Sequence, residues 1–381
     1  HPTRIIAMNG LTAQFPLLLL SSSILLAPLS SQSVDSSSIR AALQSKIAEA
    51  SIPGLSCAVV VGDEFVYAEG FGFADVENDV VATENTVYRL ASVSKPITAV
   101  LAMQLVEQGK LDLDADVGSF LSAWPKKRWP VTTRQLLAHL GGVRHYKLME
   151  GESTRRYPNQ IAGLARFAKD PLLHEPGTKY RYSSFGFNLV AAVVESGYGQ
   201  SFGAVLKQRI AIPCEAPSLQ DDDQRRIIKG RAQGYVLRRG PVGASQLGQL
   251  QNSKLMDSSY KLGSGGLCSS AKDLARFASA VMAGRLLKPE TLAEMWTRQK
   301  RADGKLIGCG LGFGLQTVRG QRFVQHSGAQ SRVSTMLCMM PDDRIGIAIM
   351  CNLEGVRLKK VAHEIALSVR SHAASNSREK K

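Results

Sequence analysis

Ser92-Val93-Ser94-Lys95 sets a hydroxyl and an amine three residues apart. On a helix that spacing puts both on one face, a turn apart. Pro96 suits a first helical turn, so Ser92 is expected near a helix start. There the peptide dipoles disfavour an ammonium and favour an anion. A lysine kept neutral in that setting can take the serine proton, and helix N–H groups can hold the oxyanion that develops on an attacked carbonyl. Ser-x-x-Lys alone is common, and an isolated copy describes a capped helix carrying a surface lysine. Here Ile97, Ala99, Val100 and Leu101 follow and imply burial, and a buried amine resists protonation.

Two further groups fit the same chemistry. Tyr182-Ser183-Ser184 follows the turn Glu175-Pro176-Gly177 and precedes the apolar run Phe187 to Val194. A tyrosine hydroxyl near a lysine can carry a proton to a leaving group, although such a residue taken alone is more often a packed ring with a satisfied hydroxyl. His326-Ser327-Gly328 ends an expected strand just before Ala329. A backbone N–H beside a glycine can approach a carbonyl closely and complete an oxyanion hole. His326 by itself is the mark of a structural histidine.

Taken together and in this order, the three groups resemble the serine β-lactamase and penicillin-binding-protein superfamily, whose motifs are Ser-x-x-Lys, Tyr-x-Asn and Lys-Thr-Gly. The likeness spans roughly Ile39 to Val369 and is strongest to the mitochondrial serine β-lactamase-like branch and its bacterial relatives. Tyr88 to Lys95, Val131 to Leu140, Arg144-His145-Tyr146, Tyr182 to Phe187 and Gly265-Gly266-Leu267 carry it. The resemblance implies an acyl-enzyme. Ser92 attacks, Lys95 activates it, Tyr182 shuttles protons, and the N–H groups of Ser92 and Ala329 hold the oxyanion. Ser184 stands where the family commonly has Asn, and His326 where β-lactamases have Lys. Both departures weaken a role in β-lactam resistance more than hydrolysis in general. The implied substrate is a small peptide, an ester or a peptidoglycan-like fragment. Filaments among the mitochondrial relatives make a scaffold with little turnover, or a homo-oligomer, the rival expectation.

Elements that would position these groups can be read from periodicity. Ile39 to Ala50 patterns as an amphipathic helix, and Ser56 to Val61 and Phe65 to Glu69 as strands flanking a Gly62-Asp63 turn. Pro96 to Gln108 is apolar nearly all round, as a buried helix would be. Thr132 and Gln135 form a capping box for a helix through Leu140, and Ser270 with Asp273 opens another that Gly284 ends. Strands follow over Leu311 to Val318, Arg322 to His326, Ser334 to Met340 and Ile345 to Cys351, with a closing helix from Val356 to Val369. Strands at both ends and helices between them give an α+β fold. One antiparallel sheet is built from N- and C-terminal segments and flanked by helices, with a helical insertion over about 93–290.

Composition adds bounds. The chain has 381 residues, 44% hydrophobic and 21% charged, which suits a folded domain expected over 39–370. Residues 1–38 read as a targeting segment with a Ser-rich linker. Leu17 to Ala27 is too short to span a bilayer and matches a signal-peptide core. Export is the expected destination, with mitochondria as the alternative. The net charge of +15 is concentrated in a basic tail over 371–381 and its approach, and in Arg225, Arg226, Lys229, Arg231, Arg238 and Arg239. Such runs suit peripheral contact with anionic surfaces, but no aromatics interleave as a nucleic-acid platform requires. The six cysteines sit mostly in apolar runs and read as buried thiols. No cofactor is expected. Gly308 to Gly314 precedes a strand instead of joining strand to helix, so it is not a nucleotide loop. His139 and His145 lack metal-ligand spacing, and Asp221-Asp222-Asp223 reads as a solvated turn.

Overall fold

A computed structural model describes residues 35–148, 150–238 and 248–379. Residues 1–34 of the expected targeting segment and linker, and Arg239, lie outside them, while Ser36 to Ser38, expected in the linker, form the first turn of a helix. Asp35 caps the helix Ser36–Ala50, its carboxylate accepting from the Ser37 and Ser38 amides at 3.0 and 3.3 Å. Strands β1 (Gly54–Val61), β2 (Glu64–Asp75) and β3 (Val80–Val81) follow. The chain then leaves the sheet for a largely helical region. That region holds the short strands β4 (Val87–Arg89), β5 (Gln220–Asp221), β6 (Tyr235–Arg238), β7 (Gln249–Asn252) and β8 (Leu267–Ser270). It returns through β9 (Gly314–Val318), β10 (Gln321–Gln330), β11 (Val333–Met340) and β12 (Ile345–Cys351), and the helix Lys359–Glu379 closes the fold.

The seven-stranded sheet runs β3-β2-β1-β12-β11-β10-β9, with antiparallel neighbours throughout. Strand β1 pairs with β12 from Leu55↔Cys351 to Val61↔Ile345, so the two ends of the chain meet at the centre of the sheet. Alternation along β1 explains how both faces are covered. Cys57 and Val59 face a core shared with Ile39, Leu43, Ile365 and Val369 of the terminal helices. Ala58 and Val60 face the larger core of the helical region, which includes Leu101, Phe277 and Val281. Each fully buried Leu, Ile or Phe contributes roughly 1.5–3 kcal/mol. The helix Ala271–Met282 therefore clamps the helical region to the sheet. All six cysteines are buried and unbridged.

Several expectations shift. The strand expected from Leu311 begins at Gly314, because Gly312 is left-handed (φ 82°) and its N–H goes to Leu137 O at 3.0 Å. Close packing is still why glycine stands there: a Cβ on Gly312 would lie 2.3 Å from Ala99 Cβ on the Lys95 helix. The capping box of Thr132 and Gln135 is present, but its helix, Thr133–Leu137, stops short of Leu140 where His139 turns left-handed (φ 58°). Asp222 is not solvated. It is 2% exposed and ion-paired to Arg89 at 2.7 Å and Arg231 at 2.9 Å, which makes Asp221-Asp222-Asp223 a structural element beside β5. The final helix reaches Glu379, through the stretch expected as a tail. Among the described residues, no helix is long and apolar enough to cross a membrane.

Candidate active site

Strand β4, paired with β8, delivers the chain into a tight 3-10 turn, Ala91–Val93, from which the helix Ser94–Glu107 continues. Ser92 thus stands in the turn before the helix. Ala91 adopts φ 47°, a left-handed conformation that costs an L-residue roughly 1–2 kcal/mol, so the surroundings hold the turn in place. Thr335 contributes by donating its hydroxyl to Leu90 O at 2.8 Å.

The Ser92 hydroxyl oxygen receives two hydrogen bonds, from Lys95 Nζ at 3.0 Å and from the Tyr182 hydroxyl at 2.9 Å. Lys95 also donates to Ser264 O at 2.8 Å and is fully buried. Burial first, and the nearby Lys261 second, push its ammonium well below the usual lysine range. Tyr182 moves the other way, since burial outweighs its bond to Ser92 and keeps the phenol protonated. One oxygen therefore sits between an amine that gives up its proton more readily than an ordinary lysine and a phenol that holds its proton more tightly than an ordinary tyrosine. That arrangement can take a proton on one side and give one on the other.

Ser183 caps the helix Ser184–Tyr198 and places Tyr182 just ahead of it. Two histidines steady this turn. His139 Nδ1 accepts from the Ser183 amide, and His145 Nδ1 from the Ser184 amide, each at 3.1 Å. Their rings lie 4.4 and 5.7 Å from the Tyr182 ring. Burial and the Lys95 charge hold both imidazoles below their ordinary range, which leaves Nδ1 free to accept. Sequence reasoning weighed these residues only as metal ligands and missed this role. Two polar rings within one loop beside an apolar helix were the available signal.

The third group lies within β10 and not at its end, because the strand runs on through Gln330 in register with β11. Gly328 is required there. A Cβ would stand 2.2 Å from Thr335 Oγ1 and 2.4 Å from Leu90 O, so only glycine lets β10 lie against the turn that carries Ser92. His326 Nδ1 is 2.7 Å from Ser327 O, which can only accept, so Nδ1 carries the proton. Burial and Lys95 push this imidazole down to about 3, leaving it uncharged near neutrality. Ser92, Tyr182, Ser184, Ser327 and Ala329 line one cavity of about 430 Å³, while His326 lines a smaller one of about 200 Å³ that also reaches Tyr182 and Ser327. Gly328 touches neither; it acts through the backbone. Among the described residues, no three His, Cys, Asp or Glu side chains gather as a metal site would require.

Residues 39–370 match the family model described as Beta-lactamase. The chain belongs to the Beta-lactamase family. Human serine beta-lactamase-like protein LACTB, mitochondrial, is 29% identical over 84% of this chain and 77% of its own. Esterase EstB of Burkholderia gladioli is also 29% identical, over 74% of this chain and 80% of its own. The octameric penicillin-binding protein homologue from Pyrococcus abyssi superposes with a TM-score of 0.71 at 25% identity, covering 85% of this chain and 74% of that one. Within the Beta-lactamase family, then, the fold is shared by proteins named for ester cleavage and for penicillin binding. Ser184 and His326 line two different cavities that share Tyr182, and the hydrogen bonds from Lys95 and Tyr182 to Ser92 are made with both residues in place.

Proposed function

We propose that this protein is a serine hydrolase that cleaves an ester or amide through an acyl-enzyme on Ser92. The observation that carries the reading is the double hydrogen bond to Ser92 Oγ, from Lys95 Nζ at 3.0 Å and the Tyr182 hydroxyl at 2.9 Å. In the first half, Lys95 takes the Ser92 proton as Oγ bonds to the substrate carbonyl carbon. The resulting oxyanion is held by the N–H groups of Ser92 and Ala329. Collapse breaks the bond to the leaving group, which takes the Tyr182 proton, and Lys95 returns its proton to Tyr182. In the second half water attacks the acyl carbon and gives a proton to Lys95, the carbon–Oγ bond breaks as that proton passes to Ser92 Oγ, and the carboxylic acid leaves. Gly328 serves by letting Ala329 approach, and Ser327 and Ser184 serve as polar walls for substrate. Neutral His326 offers Nε2 as an acceptor to a substrate N–H or O–H.

The family's esterase and penicillin-binding members support small esters, peptides or peptidoglycan-like amides as substrates. The octameric relative supports a homo-oligomer, which light scattering measures directly. The mitochondrial name of the human relative supports the second of the two addresses read from the N-terminal segment. Intact mass after incubation with a fluorophosphonate tests the central reading. One adduct per chain is expected on wild type and none on Ser92→Ala. If folded wild-type protein takes no adduct, the hydrolase reading falls and a scaffold of the same fold takes its place.

A further inference from the structure

The cavity that opens onto Ser92 is lined by a second lysine, Lys261, from the segment just before Ser264 and Gly265. Lys261 is 2% exposed. Its Nζ donates to Gly151 O at 3.2 Å and has Met256 Sδ at 3.9 Å. No carboxylate among the described residues lies within ion-pair distance of it. An ammonium carries three N–H donors, so at least one has no oxygen acceptor.

The carboxylates nearest in charge are already engaged. Asp222 pairs with Arg89 and Arg231, Glu152 with Lys254 at 2.8 Å, and Glu150 with Arg144. Arg89 and Arg166 add to the positive field around Lys261. Gln330 lines the same cavity, and its Nε2 is buried with no hydrogen-bond partner. A buried ammonium with a spare donor and a buried amide without an acceptor each carry a desolvation cost that a ligand oxygen would relieve.

We infer that Lys261 is a specificity-determining residue that binds a carboxylate of the substrate, with the Gln330 amide as a second donor. The preferred acyl donors are therefore anionic esters or amides. This deepens the hydrolase reading and rests on it for turnover, though not for binding. It also places the cation for substrate on a different wall from His326, which is uncharged. Burial and Arg89 bring Lys261 down to about 7, so the empty site loses its charge as pH rises past that value. The other groups facing it do not mimic this change. Asp222 and Glu152 are paired, arginines keep their charge, and burial raises the Tyr146 and Tyr260 phenols; Lys95, which burial lowers, is present in every variant compared.

The experiment uses the Ser92→Ala chain, which cannot turn over, and calorimetric titration with glutarate and with uncharged glutaramide. Glutarate is expected to bind more tightly at pH 6 than at pH 8.5, while glutaramide stays flat. Lys261→Met, or Lys261→Gln if the first variant melts early, should weaken glutarate at pH 6 by about one to two decades, the scale of a lost charged hydrogen bond. It should also remove the pH dependence. Glutarate binding no better than glutaramide at pH 6, or unchanged in both Lys261 variants, overturns the inference. Fluorophosphonate labelling of wild type separates the two readings. Labelling without glutarate binding leaves the hydrolase and removes the anion site. Lys261-dependent glutarate binding without labelling does the reverse.

Discussion

At Ser92 the chemistry depends on which neighbour holds a proton. Burial lowers the hold of Lys95 on its proton, which suits it to the proposed role of base toward Ser92. Lys95→Ala should lower kcat/KM by about 10²–10⁴, and Lys95→Arg should not restore it, since a guanidinium does not deprotonate near neutrality. Full activity in Lys95→Arg would end the assignment. His326 makes a contrasting case. An ordinary imidazole would lose its charge between pH 5.5 and 8.5, and that would make it a pH-dependent anchor for anionic substrates. In this fold the ring is already uncharged across that range. The pH profile of the anionic-to-neutral ratio of kcat/KM should therefore be the same in wild type and His326→Gln. His326→Lys, which adds a lasting cation, should raise the ratio at pH 8. A profile that moves in His326→Gln would show that the imidazole titrates after all.

Elements decide how closely these groups meet. Strand β10 brings Ala329 to the turn at Ser92 only because Gly328 has no side chain to strike Leu90 O and Thr335 Oγ1. Gly328→Ala should push the strand away and cost about 10²-fold in the rate of fluorophosphonate labelling, the scale of a lost oxyanion donor. Melting measured on the same sample separates this from unfolding; an unchanged rate would remove the donor role from Ala329. Much of this level was readable in the sequence. The capped helices follow from Thr132 and Ser270, and β11 and β12 from short, mostly apolar runs that are buried on both faces. The histidine supports of Tyr182 show in the sequence only as two polar rings in one stretch; which amides they accept from is set where Ser183 and His139, distant in sequence, meet in the folded chain. The short strands β4, β5 and β8, two to four residues each, are too brief for periodicity to register. The Asp222–Arg89 pair was hidden for the same reason: three aspartates in a row look solvated until one of them is covered.

At the scale of the molecule, burying Lys95 has a cost in stability that the proposed base role would offset. A lysine whose native pKa is depressed takes up its proton later than the unfolded chain does as pH falls. From about 10.4 downward the unfolded chain thus binds more protons, and the native state loses about 1.4 kcal/mol per pH unit until its own lowered pKa is reached. Lys95→Met removes that slope. Its Tm should gain on wild type as pH drops from 9.5 to 7.5, while activity is lost; a constant difference in Tm across that range would mean Lys95 is charged in the native protein. The sheet has its own consequence. Its central pair joins β1 to β12 across about 290 residues. Closing so long a loop adds little free energy, since the entropy grows only with the logarithm of length, but it makes assembly slow. During synthesis Ser92 leaves the ribosome early, while Ala329, β11 and β12 come near the end. Until then β1 offers an open edge to other chains. A chain cut short before Ile345 would hold Ser92 and Lys95 yet have no completed sheet to press against them, so the candidate site is assembled only when the last strand is in place.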